Sequence, residues 1–155
     1  MPFVPDDFDV PGQLDLGWCH LRPLTAADNA GDFAAWRGSI DHIRATPGFA
    51  GRPWPAEDYS PERNEADLRE HEADFAARRG FTYTVLDPDE EVIGCLYIYP
   101  PLATDPAGVD ANVRSWVRVD YAGRDVDLYG AVVAWLADAW PFTDVSYASR
   151  LSATA

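Results

Sequence analysis

The sequence predicts an α/β (α+β) domain built on a mixed central sheet flanked by helices. Three observations lead there. The β-rich runs 81–86 and 92–99 are separated only by the turn-forming stretch Asp87-Pro88-Asp89-Glu90, which makes them an antiparallel hairpin. Two helix-period stretches lie upstream between a first strand and that hairpin. Downstream, an almost wholly apolar helical stretch separates an alternating strand from a short last one, which is the pattern of a β-α-β unit with right-handed, parallel connection.

The elements follow in order. Residues 1–17 carry three prolines and four acids and close on Gly17, the composition of an N-terminal arm preceding a single domain over 18–155. The run 18–24 is a first strand closed by Pro23, and Thr25 with Asp28 three residues later forms an imperfect capping box. Phe33, Trp36, Ile40 and Ile43 recur at three or four residues, which predicts one amphipathic helix over 32–44, ended by Pro47 and Gly48. Ser60-Pro61 starts a second helix, with Ser as N-cap and Pro at the first position. That helix runs over 62–79 with a thin stripe of Ala66, Leu68, Phe75 and Ala76 and is stopped by Gly80.

After the hairpin, 112–121 alternates, with Val113, Ser115, Val117 and Val119 on one face and Arg114, Trp116 and Arg118 on the other. The segment 122–127 reads as a polar loop. The stretch 128–140 reads as a helix buried all round and closed by Pro141, and 145–148 as the last strand.

Composition narrows the function. With 47% hydrophobic and 13% aromatic residues in 155, the chain can bury one core. No apolar run approaches the ~18 residues of a membrane span, and the acidic N-terminus lacks the features of a secretory signal, so a cytoplasmic location is expected. Net charge is −14 and all twelve basic residues are arginine. That field repels phosphate backbones and anionic lipid, which argues against nucleic acid and membrane as partners. Cys19 and Cys95 fall in apolar strand contexts and are expected to be reduced and packed. No Cys/His spacing suits a metal, so none is expected.

Candidate site residues are few. His71, Glu72, Asp58 and Glu91 are the available bases. His71 and Glu72 lie on a highly charged helix, where a solvated or ion-paired side chain is expected. Tyr97 and Tyr99 share one face of their strand, with Trp116 on the neighbouring strand. With Trp54 they form either an aromatic core or a substrate pocket for a small amine, which an acidic, aromatic protein attracts through charge and cation–π contact.

The order of elements and several local strings resemble the GNAT (GCN5-related N-acetyltransferase) superfamily. Leu21-Arg22-Pro23-Leu24-Thr25 with Asp28 is similar to its opening, 84–98 to its second hairpin and 116–119 to its fourth strand, so the likeness covers about residues 18–148. The resemblance implies an N-acyltransferase that moves an acyl group from acetyl-CoA or another acyl-CoA to a small amine. It implies that the backbone of Trp116, Val117, Arg118 and Val119 faces the acyl carbonyl, and that Gly123 and Arg124 belong to the loop binding the CoA pyrophosphate. The sequence departs from the family's Q/R-x-x-G-x-G/A loop: Ala122, Asp125 and Asp127 stand at the motif positions. Two carboxylates there would repel a pyrophosphate and are expected to cap the following helix instead. The alternative is a non-catalytic module of this fold that binds a small molecule or a protein. Only 149–155 follow the last strand, where the family carries a further helix and two strands, so an uncovered sheet edge available to a homodimer is expected.

Overall fold

The computed structural model describes residues 2–150. Its centre is one six-stranded sheet whose spatial order repeats the chain order. The strands are β1 (Leu14–Asp15), β2 (His20–Pro23), β3 (Phe81–Leu86), β4 (Val92–Tyr99), β5 (Ala111–Val117) and β6 (Val145–Tyr147). All neighbours are antiparallel except β5 and β6, which are parallel, as a β-α-β unit requires. No helix among the described residues is long and apolar enough to cross a membrane.

The helices are α1 (Asn29–Arg37), α2 (Ile40–Ala45), α3 (Pro61–Ala76) and α4 (Asp125–Ala139). The period-two alternation of the central strands feeds two cores. On one face Leu96, Ile98, Val113 and Val117 pack with Leu128, Val132 and Leu136 of α4. On the other, Cys95 and Trp116 pack with Trp36, Ile43 and Leu68 of the first three helices. Cys19, just ahead of β2, and Cys95 are both buried and free.

Several expectations are corrected. The single helix expected over 32–44 is two, broken at Gly38-Ser39. Ser39 N–H returns to Trp36 O, its carbonyl starts α2 by accepting from Ile43 N–H, and its hydroxyl accepts from the distant Val119 N–H at 2.9 Å. The helix expected to run to Arg79 ends at Ala76. Arg78 takes the left-handed conformation (φ 60°), with Arg78 N–H on Phe75 O and Arg79 N–H on Asp74 O, the paired bonds of a Schellman ending. Gly80 therefore stops nothing; a Cβ there would overlap the ring of Tyr99.

The alternating strand stops at Val117, and the expected loop 122–127 is helical. A 3-10 helix spans Val119–Arg124 and runs directly into α4. α4 is not buried all round, since Val126 and Val133 are exposed. The arm 1–17 holds β1 and lays Phe3, Val4 and Phe8 onto the α4-side core, where Phe3 stacks on Phe142 and Phe8 leans on Trp140. At the start of the domain the capping box is made even with the shorter Asp in place of Glu. Asp28 accepts the Thr25 N–H at 2.9 Å and holds Arg22 through both oxygens, at 2.7 and 3.0 Å.

Candidate functional site

On the helix-covered face of β4 and β5, α1, α3 and the loop after α2 line a cavity of about 200 Å³. Strand register builds its floor. Cys95 stands opposite Trp116 and Tyr97 opposite Arg114, so these side chains share one face. Trp116 donates its indole N–H to the Tyr97 hydroxyl at 2.9 Å. Trp54, from the loop, closes one wall, with ring centres 5.4 Å from Trp36, 5.9 Å from Phe49 and 6.1 Å from Trp116.

The polar groups of the cavity come mostly from the helices. Asp32 of α1 is 4% exposed and accepts from Asn64 Nδ2 at 3.0 Å; Asn64 in turn accepts the Trp36 indole N–H at 3.1 Å. Burial pushes the Asp32 carboxyl up to about 6, against the opposing help of the Asn64 bond and with Asp28 and Asp67 adding to the rise. Asp67 accepts the Tyr59 hydroxyl at 2.8 Å. Arg114 reaches the cavity from below and makes no ion pair and no hydrogen bond among the described residues. It lies over the rings of Phe49 and Tyr97, 5.5 and 5.4 Å from their centres, and its Nε is buried without a partner. Burial lowers its pKa from the ordinary arginine value, with Arg52 adding to the effect.

His71 completes the ring of polar groups. Its Nδ1 is 2.7 Å from the Tyr99 hydroxyl, which itself donates to Asp74 Oδ2 at 3.0 Å. The hydroxyl has one proton, and the carboxylate can only accept, so Nδ1 must carry the imidazole proton and donate to Tyr99. Nε2 is then the lone-pair nitrogen. Burial lowers the His71 pKa, opposed by Asp67, Asp74 and Glu70 and reinforced by Arg114, so the ring is neutral at neutral pH.

Of the residues singled out from sequence, Trp54, Tyr97, Tyr99 and Trp116 do converge: Trp54 and Tyr97 line the cavity, Trp116 lies beneath Trp54, and Tyr99 acts from behind through His71. A solvated or ion-paired side chain is the expectation for His71, yet it lines the cavity and meets the Tyr99 hydroxyl. Asn64, Leu68, His71 and Phe75 recur at four, three and four residues and form the inner stripe of α3, which a purely apolar reading misses at its two polar members. Asp32 carried no pattern of its own, whereas alternation had already put Arg114 on the Trp116 face of its strand.

The residues expected at the acyl-CoA site lie elsewhere, toward the opening between β5 and β6. Val117 is buried against the α4-side core. The Arg118 N–H bonds Ile93 O at 2.7 Å on the β4 side, so the N–H of Val117 faces the other way, toward β6. The Arg118 guanidinium is held by Asp120 at 2.7 Å and Glu91 at 2.9 Å, and the Val119 N–H is taken by Ser39. Gly123 is exposed, and a side chain there would point into open space; Arg124 stacks over Trp18 while pairing with Asp127 at 3.1 Å. Neither aspartate caps α4 as expected. The cap position falls to Arg124, without a side-chain bond, while Asp125 pairs with Arg150 at 3.0 Å. Arg150 also reaches the carbonyls of Ser115 and Ala148, and Tyr147 bonds the Ser115 hydroxyl, so the gap below the β5–β6 pairing is filled by this chain's own side chains.

No protein-family model matches the chain, and no curated protein matches it in sequence. Solved structures do match in shape. The ribosomal-protein-S5-alanine acetyltransferase from Vibrio fischeri superposes with a TM-score of 0.59 at 15% identity, over 83% of this chain and 67% of that one. RimL, a ribosomal L7/L12 alpha-N-protein acetyltransferase solved in complex with coenzyme A, gives 0.57 at 13%, over 77% of this chain and 64% of that one. The microcin C7 self-immunity acetyltransferase MccE, in complex with acetyl-CoA and AMP, gives 0.57 at 9%, over 80% and 66%. With its curled mixed sheet, its parallel last pair and its helices on both faces, this chain has the fold of the GNAT acetyltransferases.

Proposed function

We propose that the protein is an N-acetyltransferase-like member of the GNAT fold that binds a small amine-bearing molecule in the aromatic cavity, with no acyl-CoA pyrophosphate seated at the start of α4. The observation that carries this reading is the cavity itself: an aromatic pocket, open on one side, holding one unpaired guanidinium, two carboxylates and a neutral imidazole. Aromatic walls with a few convergent polar groups are the general form of a small-molecule site. Arg114 has neither a carboxylate nor a carbonyl partner among the described residues, so its guanidinium is available to a ligand.

The residues at the start of α4 do not suit a pyrophosphate. A phosphate cradle needs free backbone N–H groups at a helix start and glycines that allow close approach. Here the approach is wound into the Val119–Arg124 3-10 helix, whose turns use those N–H groups internally. The first turn of α4 adds Asp125 and Asp127. A second reading, acyl transfer to the bound amine, is favoured by the coenzyme A and acetyl-CoA complexes of RimL and MccE. In that reading His71, whose Nε2 carries the lone pair, is a group placed to take the ammonium proton. A cytoplasmic place of action belongs to either reading and agrees with two free cysteines.

Calorimetric titration tests both readings. Titrated with 2-phenylethylamine, the protein is expected to bind and Trp54→Leu to lose that binding. Acetyl-CoA at low and moderate salt is expected to give no heat. Micromolar acetyl-CoA binding would replace the first reading with the second, and an inert cavity would remove the proposal.

A further inference from the structure

We propose that the cavity binds a free α-amino acid with an apolar side chain, its carboxylate on Arg114 and its ammonium on Asp67 and His71 Nε2. This rests on reading the cavity as the ligand site.

The charge pattern carries the argument. Of the other eleven arginines, Arg22, Arg44, Arg69, Arg79, Arg118, Arg124 and Arg150 stand against carboxylates, Arg37, Arg52 and Arg78 donate to backbone carbonyls, and Arg63 is exposed over the Tyr59 ring. In a chain of 26 acids, Arg114 instead sits among rings with its Nε buried and unbonded. A desolvated guanidinium is costly unless something anionic completes it, and its planar fork matches a carboxylate with two parallel bonds. The same cavity holds Asp32 and Asp67. Those two carboxylates disfavour a dianionic phosphate, while a plain amine would leave Arg114 as it is. A zwitterion satisfies both ends.

The acceptor end is specific. Asp67 uses Oδ2 for Tyr59, and the Asp74–Tyr99–His71 chain leaves Nε2 of a cavity-lining ring as an acceptor. An ammonium group donates to both kinds of acceptor, whereas a hydrogen-bond acceptor on the ligand would find no partner there. Phe49, Trp54 and Leu24 supply the apolar wall for a side chain. A cavity of about 200 Å³ has room for a ligand the size of a single amino acid.

The test is equilibrium binding to the full chain of L-phenylalanine and L-leucine, with L-phenylalaninamide and 2-phenylethylamine as ligands that lack the carboxylate. The amino acids are expected to bind at least tenfold more tightly than the amide and the amine. Arg114→Gln is expected to erase that preference and Arg114→Lys to keep part of it, with thermal melts confirming the fold of each. The comparison of acid with amide uses the unaltered protein and stands even if the variants do not fold. Equal binding of acid and amide would overturn the carboxylate assignment while leaving the cavity as a ligand site. Binding of none of the four would overturn the inference together with the reading beneath it.

Discussion

Arg150 Nε lies 3.0 Å from Asp125 Oδ2, with the arginine side chain 2% and the aspartate side chain 16% exposed. The pair bridges the tail of β6 to the first turn of α4, and Arg150 adds bonds to the carbonyls of Ser115 and Ala148. Breaking a buried pair leaves an uncompensated charge, and Asp125 Oδ1 already lacks a partner. Arg150→Ala is expected to lower stability by about 3 kcal/mol. The double change Asp125→Asn with Arg150→Met should recover much of that loss. Urea denaturation of the three proteins checks it; a single variant as stable as the parent would refute the bridge.

Asp32 gives a pH-dependent prediction. Its folded value of about 6 lies above the ordinary 3.8, so between those values the native state binds the proton more readily than the unfolded chain. Its contribution to stability therefore rises as pH falls through 6 and is complete below 3.8. At pH 7 the charged, buried form is a cost. Asp32→Asn should stabilise the protein at pH 7 by about 2 kcal/mol, and the gain should shrink as the pH falls toward 4. Paired denaturation curves at pH 7 and 4.5 measure the difference, with Asp28, Asp67 and Asn64 unchanged in both proteins.

Tyr99 is a positioning residue for His71. Tyr99→Phe removes the hydroxyl between Nδ1 and Asp74, so the imidazole can turn its proton to either nitrogen. Affinity for L-phenylalanine should fall about tenfold, the equivalent of ~1.4 kcal/mol, with only a small change in melting temperature. In the parent, affinity should hold above neutral pH and weaken in acid as His71 protonates between Asp67, Asp74, Glu70 and Arg114. A flat pH profile would remove His71 from the acceptor end.

Two glycines should respond oppositely to alanine. At Gly80 the new methyl would overlap the Tyr99 ring, which is tethered at its hydroxyl, so Gly80→Ala should cost about 1–3 kcal/mol. At Gly123 nothing lies within 4 Å, and φ is not positive. Gly123→Ala should be neutral or stabilise by about 0.5 kcal/mol by restricting the unfolded chain. Thermal melts distinguish the two.

The legible part of this fold is the part written in local composition and periodicity. Strands β3 and β4 follow from β-branched and aromatic runs around a turn, β5 from alternation and the Ser60-Pro61 start from capping chemistry, and the element order puts Tyr97 and Trp116 on adjoining strands. The rest depends on contacts distant in sequence. Ser39 breaks a helix where Val119 needs an acceptor, 80 residues away. Arg78 adopts a left-handed turn usually given to glycine, while Gly80 is small for the sake of Tyr99. The cavity is half legible for the same reason. Its aromatic members announce themselves by type, but Asp32, Asn64, His71 and Arg114 look like ordinary surface residues until α1 and α3 close over the sheet.

The sheet's spatial order matches its chain order, and that bears on how the protein is made. Each strand leaving a ribosome finds the one it must join already synthesised, and no earlier strand has to be parted to admit a later one. Between β1 and β5 the pairings are antiparallel and most are close in sequence. Only the insertion of α1 to α3 separates β2 from β3. The parallel β5–β6 pair must wait for α4 to be laid down, and its clasp, Arg150 on Asp125, is the final one to be translated among the described residues. The topology thus lets the sheet be extended from one edge to the other in the order of synthesis, with β6 the last strand made available.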